Sequence, residues 1–212
     1  PAMHIVGLTG GIACGKTTVA STFREEGLAV IDLDAISRQA TKTGHWGYRR
    51  VVRAFGRGIL TTDASGEEAI DRKKLADLVF GNRVLLSKLN HATHLPITVE
   101  LFRQILCSFL SMRPVVVLDC PLLFEAKLQW LCSTTVCVSC DAEDQVKRQC
   151  ERDGCDEDHA RKRIESQMPL EQKRRLADVV IDSTGTRQEC VQRARAVARS
   201  YKKKGFLAWA YR

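Results

Sequence analysis

Short apolar runs alternate with long amphipathic stretches along most of the chain. The runs are rich in Val and Ile and are continuous, as strands buried on both faces of a parallel sheet are. Alternation of such strands with helices is typical of an α/β fold in which helices cover a parallel sheet. The pattern predicts five strands, at 4–9, 29–32, 115–119, 134–139 and 179–182.

Three intervals between and after these strands carry helical patterning. The stretch 35–113 is too long for a simple crossover, and we expect a helical subdomain there, inserted as one wall of a cleft. The stretch 143–175 is dense in charged residues and predicts exposed, mobile helices. The segment 187–204 has small and apolar residues at helical spacing and should pack on the sheet.

A phosphate-binding motif follows the first predicted strand. Residues 10–17 read GGIACGKT, which fits G-x-x-x-x-G-K-[ST] between a strand and a helix. Glycines allow the tight turn and let backbone N–H groups approach phosphate oxygens at a helix N-terminus. Lys16 would reach the β- and γ-phosphates, and Thr17 would offer its hydroxyl to Mg2+. The motif therefore predicts a P-loop that binds ATP and Mg2+, made of Gly10, Gly11, Ile12, Ala13, Cys14, Gly15, Lys16 and Thr17.

Three carboxylates lie at the end of a predicted strand or within two residues after it, where open parallel sheets place their ligand crevice. Asp119 ends the third strand, as the Mg2+-binding carboxylate of a P-loop enzyme does. Asp32 and Asp34 alternate on an extended chain and would point the same way, so one would bind metal waters and the other accept a hydroxyl proton. The alternative is that Asp34 caps a helix that begins at Ala35, and both roles can coexist.

Two arginines in the charged stretch are candidates for catalysis. Arg148 and Arg152 are four residues apart and lie on one helix face. A mobile segment that delivers arginine on closure would stabilise the charge that phosphoryl transfer spreads over oxygens. A solvated helix face explains most of the other charged residues there, so catalysis is assigned to one or two arginines.

Composition narrows the classes of protein and partner. The content of 44% hydrophobic and 27% charged residues favours neither disorder nor a membrane protein, and no apolar run approaches the ~20 residues that span a bilayer. The nine cysteines are odd in number, which indicates thiols in a reducing compartment. Without a secretory signal pattern, the expected location is the cytoplasm, with organelle targeting left open.

The formal charge of +8 fits an enzyme that holds several phosphates. The basic residues are spread along the chain and form none of the common nucleic-acid motifs, so neither a nucleic-acid partner nor a membrane is expected. The P-loop leaves more than one function open. Among the alternatives are a kinase for some other small molecule and a nucleic-acid-associated P-loop ATPase.

The run PLLFE at 121–125 follows the Asp119 strand. With this run as its most specific match, the chain resembles the dephospho-CoA kinase family over residues 4–185. Other matches lie at 6–12, 15–17, 30–34, 70–72, 163–164, 167–169, 173 and 177–182. Departures from the family are Ala13-Cys14 where Gly-Ser is usual, Leu33 for Ala, His94-Leu95-Pro96 for an adjacent His-Pro pair, and Ser183 where Asn is frequent.

This resemblance implies one three-layer P-loop kinase domain over 1–212, with a five-stranded parallel sheet, a helical CoA-binding subdomain at 35–113 and a mobile lid at 145–169. The implied reaction moves the γ-phosphoryl group of ATP to the ribose 3'-hydroxyl of 3'-dephospho-CoA, in a monomer or weak homo-oligomer. Asp34 would be the general base, and Lys16, Arg148 and Arg152 would act on the phosphates. Thr9 and Thr18 would join the nucleotide site, Thr17, Asp119 and Asp32 the metal site, and Asp34, Arg38, Arg72, His94, Leu123 and Glu125 the acceptor site.

Overall fold

The computed structural model describes residues 3–62 and 66–210, with side chains as far as residue 204. Strands and helices are numbered in chain order. The central sheet contains β1 (His4–Gly10), β2 (Ala29–Asp32), β5 (Val115–Asp119), β6 (Thr134–Ser139) and β7 (Val179–Asp182).

The order of this sheet is β2-β5-β1-β6-β7, and β1 pairs in parallel with both β5 and β6. All five predicted strands are confirmed, and only β1 differs from its predicted bounds, by one residue. Every residue of β5 is buried, as expected for a strand covered on both faces. The α/β fold with a five-stranded parallel sheet is therefore confirmed.

Two helices cover one face of the sheet near its centre. They are α1 (Lys16–Glu25) and α9 (Arg187–Ala210), which contact each other. Val19 and Phe23 of α1 and Ala194 and Ala198 of α9 are fully buried in the same core as the strand residue Leu8. The prediction that the last segment packs on the sheet is confirmed.

The charged stretch forms three helices, α6 (Ala142–Asp153), α7 (Glu157–Glu165) and α8 (Leu170–Leu176). Most of their charged side chains are exposed, but Lys173 in α8 has no exposed surface. The prediction that this stretch is exposed is wrong at that residue, because its ammonium group binds partners in the interior.

The chain divides into two compact units, one of residues 1–31 with 107–212 and the other Asp32–Leu106. The second unit contains four helices and a hairpin, with its own core around Val51, Ile59, Leu75 and Ala92. The antiparallel hairpin was not predicted from the pattern. The elements are α2 (Leu33–Ala40), α3 (Trp46–Phe55), the 3-10 turn Arg57–Ile59, β3 (Leu60–Thr62), β4 (Glu68–Ile70), α4 (Arg72–Val79) and α5 (Arg83–Leu110), the last of which continues past the unit boundary.

In the part of the chain that the structure describes, no helix has the length and apolar character required to cross a membrane.

Candidate active site

The P-loop connects β1 to α1 and can take its shape only with glycine at two places. Gly15 adopts φ 77°, the left-handed region that favours glycine, as the residue before α1. A Cβ at Gly10 would lie 2.6 Å from the carbonyl oxygen of Val138 on the neighbouring strand. Ala13 also has a positive φ of 59°, so the residue that replaces the family's usual glycine occupies a backbone conformation that glycine suits better.

Lys16 and Asp119 meet at the carboxyl ends of β1 and β5. The Lys16 Nζ lies 2.5 Å from Asp119 Oδ1, which joins the two residues that the sequence predicted as phosphate and metal partners. The Lys16 side chain keeps 16% of its surface exposed, whereas Asp119 keeps 6%. The ammonium group can therefore exchange its carboxylate partner for an entering phosphate without unfolding the loop.

The oxygen atoms next to this pair suit Mg2+. Thr17 is exposed in the first turn of α1, and its hydroxyl and the Asp119 carboxylate are hard ligands of the kind Mg2+ prefers. Among the described residues, no cluster of three or more His, Cys, Asp or Glu side chains is arranged to hold a metal. Mg2+ at nucleotide sites commonly takes one or two protein ligands and fills its shell with phosphate oxygens and water.

Arg148 lies in the wall of a pocket beside the P-loop. Its Nη2 donates to the Ser183 carbonyl oxygen at 3.0 Å and pairs with Asp144 Oδ2 at 3.2 Å. The Ser183 hydroxyl donates in turn to the Cys14 carbonyl oxygen at 2.8 Å. The pocket has a volume of about 260 Å³, and its lining includes Gly15, Thr18, Arg148, Ser183, Gly185 and Arg187.

The Arg152 side chain has different hydrogen-bond partners from the Arg148 side chain. Its side chain is half exposed, and its Nε donates to the adjacent Asp153 carboxylate at 2.8 Å. Arg163 of α7 contacts the same carboxylate, which joins α6 and α7. Arg148 is thus bound to the pocket wall, while Arg152 is paired at the surface.

A network of hydrogen bonds around the buried Lys173 lies beside the end of β1 that leads into the P-loop. This network was not predicted from the sequence. Lys173 Nζ lies 2.8 Å from Glu125 Oε1 and donates to the Pro121 carbonyl oxygen at 2.9 Å. The Thr9 hydroxyl donates to the same carbonyl at 2.9 Å, so its predicted contact with nucleotide would require it to leave this bond. The Met168 N–H donates to Glu125 Oε1 at 3.1 Å. Together these bonds tie the segment after β5 to α8 and to the end of the predicted lid.

Two residues predicted for the acceptor site differ in what surrounds them. The Leu123 side chain is completely buried, and its Cδ2 lies where a Cβ on Gly7 would come within 2.7 Å. That side chain belongs to the core. Glu125 has a second carboxylate oxygen, Oε2, that is buried and has no hydrogen-bond partner within the described ranges.

The second unit corrects the interpretation of Asp32 and Asp34. Asp32 is the N-cap of α2, and its Oδ1 accepts a hydrogen bond from the Ala35 N–H at 2.8 Å. Asp34 is an exposed residue in the first turn of the helix. The prediction that both residues alternate on an extended chain is wrong, because the helix begins at Leu33. The alternative in which Asp34 is the cap is also wrong, since Asp32 takes that position.

Arg38 and Arg72, predicted for the acceptor side, are close together in this unit. The Arg72 Nη2 donates to the carbonyl oxygen of Arg38 and to the Thr41 hydroxyl, both at 2.9 Å. The guanidinium of Arg38 lies 4.0 Å from Asp32 Oδ2. His94 is exposed on α5.

Comparison with known proteins gives a consistent family. The model of the family described as Dephospho-CoA kinase matches residues 4–189. A dephospho-CoA kinase of Carboxydothermus hydrogenoformans is 46% identical over 184 residues, which cover 87% of each chain. One of Arabidopsis thaliana is 45% identical over 87% of this chain and 78% of its own length.

Solved structures share the fold of this chain. The crystal structure of TT1252 from Thermus thermophilus has a TM-score of 0.77 and 31% identity, and the match covers 94% of this chain and 98% of that one. The dephospho-CoA kinase of Campylobacter jejuni has a TM-score of 0.65 at 23% identity over 94% and 97% of the chains, which supports the fold. With a family model that spans most of its length and relatives above 40% identity, this chain belongs to the dephospho-CoA kinase family.

Proposed function

We propose that this chain transfers the γ-phosphoryl group of ATP to the ribose 3'-hydroxyl of 3'-dephospho-CoA, giving CoA and ADP. The observation that carries the proposal is the Lys16–Asp119 pair at the P-loop of a chain that belongs to this family. A P-loop alone supports ATP use by many enzymes, whereas family membership supports the identity of the acceptor. The chain is accordingly an ATP-dependent kinase that acts on an alcohol group.

The phosphates of ATP would lie against the loop N–H groups and Lys16. In phosphoryl transfer the protein contributes mainly position and charge, because negative charge spreads over the transferred oxygens. When nucleotide enters, the Lys16 ammonium would leave Asp119 and bind the β- and γ-phosphates. The Asp119 carboxylate and the Thr17 hydroxyl would then hold Mg2+, which supplies positive charge next to the phosphates.

The acceptor hydroxyl requires a group that takes its proton, and we assign this to Asp34. Its carboxylate is exposed in the first turn of α2, where a ligand can reach it. Asp32 is unsuited to that part because its Oδ1 already accepts the Ala35 N–H of the helix cap. A general base must lie within hydrogen-bond reach of the proton that it removes, so the assignment requires the ribose to approach α2.

The remaining acceptor contacts are assigned to the second unit and to Glu125. Arg38 and Arg72 supply positive charge in that unit, with the Arg72 guanidinium beside the Arg38 carbonyl oxygen, and this charge suits the phosphates of the acceptor. Glu125 keeps 24% of its side chain exposed, and the acceptor capacity of its Oε2 is not used by any hydrogen bond within the described ranges. In this proposal His94 stays a predicted acceptor contact on α5.

The two lid arginines have different roles in this proposal. Arg148 is bound to Ser183 and Asp144, and it shapes the wall of the nucleotide pocket. The Arg152 side chain is half exposed and its carboxylate partner Asp153 also pairs with Arg163, so a closing movement of 145–169 can bring Arg152 to the transferred phosphoryl group and leave Asp153 paired.

An ADP-release assay with Mg-ATP tests the function. The acceptors compared are 3'-dephospho-CoA, adenosine, AMP, shikimate and none, and Lys16→Ala is the control for a contaminating kinase. We expect fast ADP release with 3'-dephospho-CoA alone and a product with the mass of CoA. Equal release without acceptor, or release with another compound alone, would leave the ATP site in place and overturn the named acceptor.

A further inference from the structure

Cys14 and Cys140 place their sulfur atoms 3.3 Å apart inside the core. Cys14 belongs to the P-loop and is fully buried, and Cys140 follows β6 with 7% of its surface exposed. The two residues are 126 positions apart in the sequence, so the fold alone brings them together. Nothing in the proposed phosphoryl transfer uses either thiol.

The surroundings of this pair make its two sulfur atoms unequal. The hydrogen bond with Cys14 lowers the pKa of the Cys140 thiol, and the positive charge of Arg148 acts in the same direction. The same bond and burial raise the pKa of the Cys14 thiol. Cys140 is also the more accessible of the two, with 7% of its surface exposed against none for Cys14, so Cys140 is the sulfur that meets the oxidant first and Cys14 is the one that resolves.

A structural metal is a poorer explanation of the pair. Cys137 is also buried nearby, but its Sγ points to the Val138 carbonyl oxygen at 3.8 Å. The described ranges contain no set of three Cys, His, Asp or Glu side chains placed to hold a metal ion. Two adjacent thiols without a third ligand fit dithiol chemistry.

We propose that Cys14 and Cys140 are a site for oxidation by hydrogen peroxide, and that their disulfide inhibits the P-loop. The Cys140 thiolate attacks one peroxide oxygen and the O–O bond breaks, which gives Cys140 sulfenic acid and a hydroxide that becomes water on protonation. Cys14 then attacks the sulfenic sulfur, the S–O bond breaks, and the Cys14 proton leaves with the hydroxide as a second water. Two thiols are oxidised and one peroxide is reduced, and a dithiol reductant reverses the change.

Inhibition follows from where the new bond lies. A disulfide has an S–S length of about 2.05 Å, so the sulfur atoms must approach by roughly 1.2 Å. Cys14 lies between Ala13 and Gly15, which both have positive φ, and its carbonyl is held by the Ser183 hydroxyl. Movement of this residue shifts the loop N–H groups, and a misplacement of about 1 Å can cost ~10²-fold in rate.

The test is peroxide treatment of the whole chain, followed by alkylation of the remaining thiols and peptide mapping by mass spectrometry. We expect one linked peptide pair that contains Cys14 and Cys140, a fall in kcat/KM of at least about 10-fold, and recovery with dithiothreitol. Cys140→Ser should keep the activity of the reduced protein and lose its sensitivity to peroxide. Cys140→Ala provides the same comparison should serine disturb the core.

Cys150→Ser is the matched control, because Cys150 and Cys155 also interact through their thiols. It should remain as sensitive to peroxide as the unmodified chain. Absence of the Cys14–Cys140 link, a link that leaves activity unchanged, or equal inhibition of the Cys140 variants would each overturn the proposal. The activity readout rests on the proposed function, whereas the mapped link does not, so failure of one can be told from failure of the other.

Discussion

Two lysine–carboxylate pairs lie near the end of β5, and they differ in how far each lysine is committed to the protein. Lys16 and Asp119 meet at 2.5 Å, and Lys173 and Glu125 at 2.8 Å. The Lys16 side chain keeps 16% of its surface exposed, whereas that of Lys173 keeps none. Lys173 also binds the Pro121 carbonyl. A partly exposed pair can be exchanged for a ligand, while a buried charge that loses its partner is strongly destabilising.

The largest expected effect is the loss of activity in Lys16→Ala. Removing a cation that stabilises the transferred phosphoryl group should lower kcat/KM by about 10⁴-fold. The melting temperature should fall only in part, because the Asp119 carboxylate keeps 6% of its surface exposed and loses this cation, while water can take the place of the partly exposed lysine. Steady-state kinetics and thermal unfolding measure the two effects. A Lys16→Ala variant with a strongly lowered melting temperature and an unchanged kcat/KM would contradict the contrast between the two lysines.

The second largest effect on activity is expected at Asp34, whose exposed carboxylate is available to a ligand, as the Lys16 ammonium is. Asp34→Asn should lower kcat by about 10³-fold, the usual contribution of a general base, while ATP still binds. The matched control is Asp32→Asn, which keeps a side chain that can cap α2 and should retain more activity. Single-turnover rates and ATP titrations distinguish the two variants. Equal rates in both would show that Asp34 is not the base.

For Lys173→Met we expect the main effect on stability, whereas for Lys16→Ala we expect it on activity. Lys173→Met leaves the partly buried Glu125 carboxylate, 24% exposed, without its cation, so the free energy of unfolding should fall by about 3 kcal/mol, the lower end for a broken buried ion pair. The double change Lys173→Met with Glu125→Leu should recover much of that loss, since replacing both charges by apolar groups is often neutral. Urea denaturation measures both variants. A Lys173→Met variant as stable as the unmodified chain would show that this pair does not hold the fold.

The double variant also tests Glu125 itself. If Glu125 contacts the acceptor, the recovered fold should still show a raised KM for 3'-dephospho-CoA with KM for ATP unchanged. If it recovers both stability and KM, Glu125 acts through Lys173 alone and its assignment to the acceptor site is wrong.

The smallest expected effects separate the two arginines of α6. Arg148→Ala should raise KM for ATP together with a fall in kcat, because the side chain holds the pocket wall through Ser183. Arg152→Ala should lower kcat about 10-fold and leave KM for ATP unchanged, as expected for a group that acts only in the transition state. The two variants are compared under identical steady-state conditions. If instead Arg152→Ala raised KM for ATP and Arg148→Ala left it unchanged, the two roles would be exchanged.

The sequence predicted the sheet and the P-loop because their signals are local. Continuous Val and Ile runs mark buried strands, and G-x-x-x-x-G-K-[ST] between a strand and a helix has one established geometry. Lys16 and Asp119 were each predicted from such local signals, whereas the direct ion pair between them was not predicted. The acceptor contacts were predicted from family resemblance, since no local pattern specifies them.

The features that were missed depend on small or distant differences. The strands Leu60–Thr62 and Glu68–Ile70 have three residues each, too few to show a period of two. In the run Asp32-Leu33-Asp34, which aspartate caps the helix depends on a shift of one or two residues, the scale at which helix ends are uncertain. Burial of Lys173 depends on a carbonyl 52 residues away, which a pattern of charged residues cannot reveal.

The most direct test of the account is to follow the phosphoryl group itself. ATP labelled with 18O at the γ-phosphoryl oxygens is incubated with Mg2+, 3'-dephospho-CoA and the chain, and the products are examined by mass spectrometry and 31P NMR. The account predicts labelled CoA in equal amount to ADP, with the label on the 3'-phosphate and none formed by Lys16→Ala. Label found in inorganic phosphate, with 3'-dephospho-CoA unchanged, would contradict it.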